Sequence, residues 1–244
     1  MPSTPLAKHA GSRRGLTADL PLVGDELIGS AWVPDGVELR LLRNQGDFAI
    51  VLERNELMSS DMHASEQALA TMTCARLQGI AAPELLIGGY GMGFTLRAAL
   101  AVLGQDATVT IAEIVPEIIE WARGPMHELT AGCLDDPRVQ LMMDDIAMLI
   151  EAANGGYDAI LLDVDNGPEG LTRQLNDGLY SNKGLQAAKR ALKPGGILAI
   201  WSADAEPSFA AQLTRNGFDV SEVPVRALPD GTGEQHIIWF AQKP

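Results

Sequence analysis

The chain has 244 residues, of which 46% are hydrophobic, and it carries a formal net charge of −14. The length suits one α/β domain with a small extension, and the hydrophobic content is ample for a core. The charge argues against a nucleic acid partner, whose phosphates need Lys and Arg, and no apolar run reaches the ~18–20 residues of a membrane span. A neutral or cationic small molecule suits this charge, although many acidic proteins carry such a charge simply to remain in solution.

The cysteines and histidines give no sign of a metal centre. Cys74 and Cys133 form no CxxC pair, and together with the four histidines they show no metal-ligand spacing. We therefore expect no metal, and the reducing cytoplasm as the compartment. Arg13-Arg14 resembles a twin-arginine export signal, but acidic residues such as Asp19 interrupt the apolar core that such a signal needs, so export is not expected.

The N-terminal part of the chain predicts an arm followed by a small β-hairpin. Residues 1–30 are rich in Pro, Gly and Ser, which is typical of a flexible arm. Two strand-like runs, 37–42 and 48–52, flank the turn residues 44–47. We assign this hairpin to a subdomain over residues 31–58.

The remaining residues, 59–244, alternate strand and helix patterns. A helix is predicted over 57–77, with Ser59 or Ser60 as its N-cap. Five strands follow, and the alternation predicts a doubly wound, mostly parallel Rossmann-like sheet with an antiparallel C-terminal edge. The parallel strands are predicted at 85–88, 109–112, 139–143, 159–163 and 197–202, and the antiparallel edge at 218–225 and 236–241.

A glycine cluster lies between the first parallel strand and the helix pattern behind it. Gly89, Gly91 and Gly93 can adopt positive φ and let a ligand approach bare backbone, and the N–H groups that open the next helix would face that ligand. Structural turns use the same residues. However, Glu113 ends the next strand, near the spacing at which an acid reaches ribose hydroxyls. We therefore predict a nucleoside site.

Further acids end the other strands of this sheet. Ligands of such sheets bind outside the carboxyl ends of the strands, where Asp144, Asp145 and Asp163 are also expected. Taken alone, Asp145 is equally a helix cap or an adenine contact. Asp163 ends the buried run 160–162, and a carboxylate at the mouth of a sheet needs a partner, water or a ligand.

With these residues in place, the chain resembles a known group of enzymes. Residues 85–202 are similar to the nucleoside-binding domain shared by class I S-adenosylmethionine-dependent methyltransferases and the spermidine synthases. The resemblance to the synthases is the closer one, and it covers roughly residues 37–242. The segments that carry it are 63–66, 136–145, 157–163 and 179–196.

The resemblance implies roles for the residues at the carboxyl edge, and it implies a homodimer. Glu113 would hold the ribose, Asp145 the adenine amine, and the glycine turn the sulfonium end of the ligand. The implied cofactor-binding residues are Gly89, Tyr90, Gly91, Gly93, Glu113 and Asp145. Asp163 would be the base or the amine-orienting carboxylate, with Asp165 as a second catalytic acid. The acceptor would contact Glu66, Asn166 and Trp201, and the pocket walls are expected from Tyr90, Met92, Phe94 and Trp201.

The chain also departs from the synthase pattern, mainly on the amine-binding side. Synthases carry an Asp inside the glycine turn that grips the aminopropyl ammonium, whereas the turn here, 88–93, is one residue longer and has no acid. The segment 164–168 is a partial match to the acidic-proline segment behind the catalytic Asp. Ala64-Ser65 replaces the aromatic-polar pair expected before Glu66.

These departures decide the functional prediction. Burying an ammonium without a compensating charge costs several kcal/mol. We therefore predict a methyltransferase that uses S-adenosylmethionine on a small molecule or peptide. An aminopropyltransferase using decarboxylated S-adenosylmethionine is the alternative, in which Asp165 could supply the missing charge. A non-catalytic nucleoside-binding protein is a third possibility.

Overall fold

Two β-sheets, one antiparallel and one mostly parallel, form the framework of the protein. The computed structural model describes residues 24–34, 36–53, 55–164 and 178–244. Within these ranges the N-terminal sheet has four antiparallel strands in chain order. They are β1 (Glu26–Trp32), β2 (Glu38–Asn44), β3 (Asp47–Leu52) and β4 (Asn55–Ser59).

The predicted hairpin is confirmed as β2 and β3. Their register closes on the pair Asn44 and Asp47, so the turn residues are Gln45 and Gly46, which both have positive φ (51° and 102°). Two central residues with positive φ match the twist of the flanking strands. The sheet is nevertheless wider than predicted, because β1 and β4 add a strand on either side of the hairpin.

Two boundaries in this region differ from the prediction. β1 begins within the range assigned to the N-terminal arm, of which residues 1–23 lie outside the described part of the chain. The helix predicted to be capped by Ser59 or Ser60 begins later, at Ala64. Ser59 instead ends β4, and the Ser60 hydroxyl accepts a hydrogen bond from the Phe48 N–H (2.9 Å), so the first is part of the sheet and the second is bonded to its edge residue Phe48.

The large sheet has seven strands among the described residues, in the order β10-β11-β9-β8-β5-β6-β7. The strands β5 to β9 run parallel, whereas β11 is antiparallel to both β9 and β10, which confirms the predicted Rossmann-like sheet with its antiparallel C-terminal edge. The strands are β5 (Glu84–Gly88), β6 (Thr108–Ala112), β7 (Val139–Met142), β8 (Tyr157–Leu162), β9 (Leu192–Ser202), β10 (Asp219–Arg226) and β11 (Gln235–Gln242).

Helices cover both faces of this sheet. None of the described helices combines the length and the apolar character needed to cross a bilayer. They are α1 (Ala64–Arg76), α2 (Phe94–Val102), α3 (Pro116–Arg123), α4 (His127–Thr130), α5 (Ile146–Ala152), α6 (Asn182–Ala191) and α7 (Pro207–Arg215). In β5, Leu85 and Ile87 join a core with α1 to α3, whereas Leu86 joins a second core with α5 to α7. Because both faces are covered, β5 is apolar throughout instead of alternating.

The N-terminal sheet packs on the first of these cores. Leu39, Leu41, Ile50 and Leu52 belong to the same buried cluster as Ile87 of β5. The small sheet therefore lies against the large one, and its inner face closes a cavity at the carboxyl ends of the parallel strands.

The order of connection in the large sheet reverses at β5. From β5 the chain moves to β6 and β7 on one side, then crosses to β8 and β9 on the other. Loops diverge at such a point and leave a crevice, which is where ligands of open α/β sheets bind. The ends of β5, β6 and β8 therefore mark the expected site.

At the opposite end of the sheet, the buried carboxylate of Asp158 joins three strands. It accepts hydrogen bonds from the Glu84 N–H of β5 (2.8 Å) and from the Lys193 ammonium of β9 (2.6 Å). The pairing of β8 with β9 shifts register between Tyr157 and Ala159, so this side chain spans an irregular part of the ladder.

Asp158→Ala should lower the free energy of unfolding by about 1–3 kcal/mol, because it leaves the partly buried Glu84 N–H without its acceptor. Urea denaturation measures the change. Glu151→Ala is the control, since the ion pair between Glu151 and Lys183 is exposed and should contribute at most about 1 kcal/mol. Equal small losses in both variants would show that Asp158 does not hold these strands together.

Candidate active site

The register of the parallel strands brings the predicted acids to one level. Gly88 pairs with Ala112 of β6 and with Leu162 of β8, so Glu113 and Asp163 follow directly on either side of the glycine turn. The Gly89 N–H donates to the Ala112 carbonyl (2.9 Å), which ties the turn to β6. The sequence-based expectation that these residues converge is therefore met.

At two glycines of the turn, neighbouring protein atoms leave no room for a side chain. Gly89 has φ +79°, and a Cβ there would lie 2.4 Å from the Asp163 carbonyl oxygen. Gly91 has φ +54°, and its Cβ would lie 2.7 Å from the Met58 sulfur. Such distances exclude any side chain unless the surroundings move. Both glycines also line the cavity, so a contact with a ligand stays a prediction.

Tyr90 and Gly93 are placed differently from the prediction. Neither lines the cavity. The Tyr90 ring is buried, and its hydroxyl lies 3.3 Å from the Cys133 sulfur; burial raises the pKa of this phenol. Tyr90 contacts the site residues through its backbone N–H, which donates to Glu113. Met92 and Phe94, expected as pocket walls, are core residues, because the turn directs them into the first core.

Glu113 closes the glycine turn. Its carboxylate accepts hydrogen bonds from the Tyr90 N–H (3.0 Å) and the Val115 N–H (2.8 Å). Burial raises the pKa of Glu113, while these backbone donors act in the opposite direction. Each carboxylate oxygen has a second lone pair, so the group can still accept a ribose hydroxyl from the cavity that it lines.

Asp145 acts as a helix cap. Its side chain accepts a hydrogen bond from the Ala147 N–H (2.8 Å) at the start of α5, which confirms the capping alternative. Asp145 and the neighbouring Asp144 also line the cavity. An adenine contact by Asp145 therefore stays a prediction beside its structural role.

The cavity has a volume of about 200 Å³ and lies between the two sheets. Its apolar wall, which the sequence-based prediction missed, comes largely from the inner face of the N-terminal sheet and the residues next to it: Val33, Leu39, Ile50, Leu52, Leu57 and Met58. Its polar wall is acidic, and its described lining contains no Lys, Arg or His. The acids are Glu66, Glu113, Asp144, Asp145 and Asp163.

Glu66, which is buried, and Asp163, which is partly buried, form a carboxylate pair in this cavity. Asp163 follows β8 and accepts a hydrogen bond from the Thr95 hydroxyl, while Glu66 lies in the first turn of α1 and accepts one from Ser65. Burial, and then the Asp163 charge, raises the pKa of Glu66 to about 8; burial also raises the pKa of Asp163 to about 6. Near neutral pH the pair therefore holds one proton, with Asp163 the more readily ionised member.

Trp201, near the end of β9, also lines the cavity, where the sequence analysis expected it. Its ring packs edge-on against His236, with centroids 4.8 Å apart. Its indole N–H is buried and has no hydrogen-bond partner in the described part of the chain. The predicted site residues Asp165 and Asn166 lie outside the described residues.

Fold and site together define a class I methyltransferase-like α/β domain with an acidic cavity. The chain belongs to the spermine/spermidine synthase family, because the model named "Spermine/spermidine synthase domain" matches residues 73–216, more than half of its length.

Individual relatives match over shorter stretches. The polyamine aminopropyltransferase of Mycobacterium tuberculosis is 32% identical over 122 residues, which are 49% of this chain and 22% of the relative. Putrescine N-methyltransferase 4 of Nicotiana tabacum is 35% identical over 124 residues, 48% of this chain and 30% of the relative. The chain thus spans less than a third of the length of these relatives. The spermidine synthase of Thermotoga maritima shares the fold, with a TM-score of 0.69 and 19% identity over 89% of this chain and 73% of that one.

The family corrects the functional prediction. Methyl transfer from S-adenosylmethionine to a small molecule or peptide was expected because the glycine turn lacks an acid, and this prediction is wrong: the matching family model is that of the polyamine synthases. The physical reason is that an acid missing from the turn does not leave the cavity without negative charge, because the fold brings Glu66 of α1 into the same cavity as Asp163.

Glu66→Gln tests the protonation of the carboxylate pair. The unfolded chain releases the Glu66 proton near pH 4.5, whereas the folded protein retains it up to about pH 8. The native state therefore binds the extra proton, and the free energy of unfolding should fall as pH rises through this window, by at most ~1.4 kcal/mol per pH unit for one proton. Glutamine cannot titrate, so the fall should be shallower in the variant.

Urea denaturation at several pH values within that window measures this slope. Glu151→Gln, on an exposed position of α5, is the matched control and should keep the wild-type slope. A wild-type slope in Glu66→Gln would mean that Glu66 is already ionised in the folded protein.

Proposed function

We propose that this chain is an aminopropyltransferase, which moves the aminopropyl group of decarboxylated S-adenosylmethionine to an amine. The observation that carries the proposal, in a chain of this family, is the carboxylate pair of Glu66 and Asp163 in a cavity without a described cationic side chain. Carboxylates stabilise nearby cations, and both the sulfonium and the ammonium groups of this reaction are cations.

The pair compensates for the acid that the glycine turn lacks. An ammonium buried alone would cost several kcal/mol, but one that approaches Glu66 and Asp163 meets up to two negative charges. The raised pKa of both carboxyls is itself a sign of charge that is poorly compensated without a ligand. A cationic ligand would lower both pKa values and ionise the pair.

The other walls suit the remaining parts of the nucleoside. Both Glu113 and Asp145 line the cavity; in this proposal Glu113 accepts from ribose hydroxyls and Asp145 from the adenine amine. Apolar side chains such as Ile114 and Ile146 line the cavity beside these acids and would contact the flat base. The acceptor amine would approach from the side of Asp163 and Trp201.

The chemistry requires one proton to leave the acceptor. An alkylammonium gives a proton to Asp163, and the freed nitrogen lone pair attacks the methylene carbon bound to the sulfonium. The new N–C bond forms as the C–S bond breaks, and its electron pair returns to sulfur as a neutral thioether. A base with a pKa of about 6 is largely ionised near neutral pH, as this step needs.

A homodimer and a small amine as the molecular partner are part of this proposal. The dimer rests on the resemblance to the family alone. Sedimentation velocity of the purified chain would measure the oligomeric state directly.

The activity test supplies putrescine with either decarboxylated S-adenosylmethionine or S-adenosylmethionine and identifies the products by mass spectrometry. We expect the aminopropylated amine from the first donor. A methylated amine from the second donor, the product that the name of the tobacco relative describes, would overturn the proposal. Binding of the nucleoside without turnover of any amine would also overturn it and favour a non-catalytic protein.

Asp163→Asn should reduce kcat by about 10²–10⁴-fold while the affinity for the thioether nucleoside changes little, because Asp163 acts on the acceptor proton. In the wild type, kcat/KM should fall as pH drops through about 6, where Asp163 becomes protonated. Steady-state kinetics and calorimetry measure the two effects. Asp219→Asn, on the exposed start of β10, is the control. Wild-type turnover in Asp163→Asn would exclude Asp163 as the base.

A further inference from the structure

A chain of hydrogen bonds leads from the cavity to the last strand. The Ser65 hydroxyl lies 2.6 Å from a Glu66 carboxylate oxygen, and Nδ1 of His236 lies 2.9 Å from the same hydroxyl. Ser65 is fully buried in α1, whereas His236 lies near the start of β11 and is partly exposed. The chain therefore links a buried acid to a side chain that reaches the surface.

The chemistry of a hydroxyl fixes how protons are arranged in this chain. Ser65 has one hydrogen, so when it donates to ionised Glu66, the Nδ1–H of His236 must donate to Ser65. When Glu66 is protonated, its own hydrogen can be donated to Ser65, which then donates to Nδ1. The direction of both bonds thus reverses with the protonation of Glu66, as it does in hydrogen-bonded proton wires.

The surroundings of His236 suit a group that passes protons on. Ser65 contacts it from α1, the Trp201 ring packs against it from β9, and Asp204 acts on it from the loop behind β9. Burial lowers the pKa of His236, and the exposed Asp204 carboxylate opposes this effect. His236 therefore gives up a proton more readily than an exposed histidine does, and the charge of Asp204 still favours its transient protonation.

We propose that Glu66, Ser65 and His236 form a proton relay that carries the acceptor's proton from Asp163 to the surface. The inference rests on the proposed aminopropyl transfer. That reaction converts one ammonium and one sulfonium into one substituted ammonium and a neutral thioether, so each turnover releases one proton. Asp163 takes this proton and Glu66 shares it across the cavity that both line. Ser65 and His236 then move it outward, and Asp163 is ionised again for the next acceptor.

Two substitutions of His236 separate a relay from a structural bond. Asparagine places a donor near the position of Nδ1 and so keeps the hydrogen bond to Ser65, but it cannot carry a proton. Phenylalanine removes both the hydrogen bond and the group that carries the proton. We expect His236→Asn and His236→Phe to lower kcat by roughly tenfold or more, with little change in the KM for the amine. Added imidazole should partly restore kcat in His236→Phe. His127→Asn, on an exposed position of α4, is the control.

Full kcat in His236→Asn would overturn the relay, because it would show that the hydrogen bond alone is sufficient. A raised KM for the amine in both variants, with kcat unchanged, would overturn it as well. Ser65→Ala should reproduce the loss of kcat. If that variant unfolds, the His236 variants decide, since they change a partly exposed side chain.

Nuclear magnetic resonance of the histidine nitrogens gives a second readout that needs no turnover. We expect Glu66→Gln to shift the pKa of His236. The nitrogen resonances of His127 should stay as they are in the wild type. If the wild type fails to aminopropylate any amine but Glu66→Gln still shifts the pKa of His236, the proposed function fails and the hydrogen-bond chain stands. If transfer occurs and the pKa of His236 does not respond, the relay alone is wrong.

Discussion

The site depends on the close approach of β5 and β8 where both strands end. A Cβ at Gly89 would lie 2.4 Å from the Asp163 carbonyl oxygen, and the Asp163 N–H donates to the Gly88 carbonyl (3.2 Å). This contact needs a glycine with positive φ, and it holds the Asp163 carboxylate beside the turn, where it is partly shielded from water. The raised pKa of Asp163 follows from that burial. A looser junction would expose the acid and make it an ordinary, weaker base.

The second carboxylate shows how tertiary structure can replace a missing motif. Glu66 belongs to a helix that precedes the glycine turn, yet it lines the same cavity as Asp163. In the proposed reaction the two acids meet the ammonium that a turn carboxylate is expected to meet in spermidine synthases. Function was therefore mispredicted from the motif, although the alternative that the sequence analysis kept open is the one that the family supports.

The parallel sheet was predictable from sequence, because strands buried on both faces are continuous apolar runs. The position of the acids at the carboxyl ends of these strands was predictable as well, because they follow such runs closely in the sequence. The hairpin was predictable from its turn residues. The strand β1 and the helix start at Ala64 were not predictable. Ser60 has the residue type of a helix cap, and only its long-range hydrogen bond with Phe48 shows otherwise. For the same reason the apolar wall from the N-terminal sheet, the buried position of Tyr90 and the contact between Ser65 and His236 could not be found from spacing.

The acidic lining of the cavity has a consequence for the end of the catalytic cycle. In the proposed reaction the sulfonium enters with a positive charge and leaves as an uncharged thioether. The ionised carboxylates of this lining, which has no described cation, attract the first and have little attraction for the second. The spent nucleoside should therefore bind more weakly than the donor, so the product competes little with its own precursor.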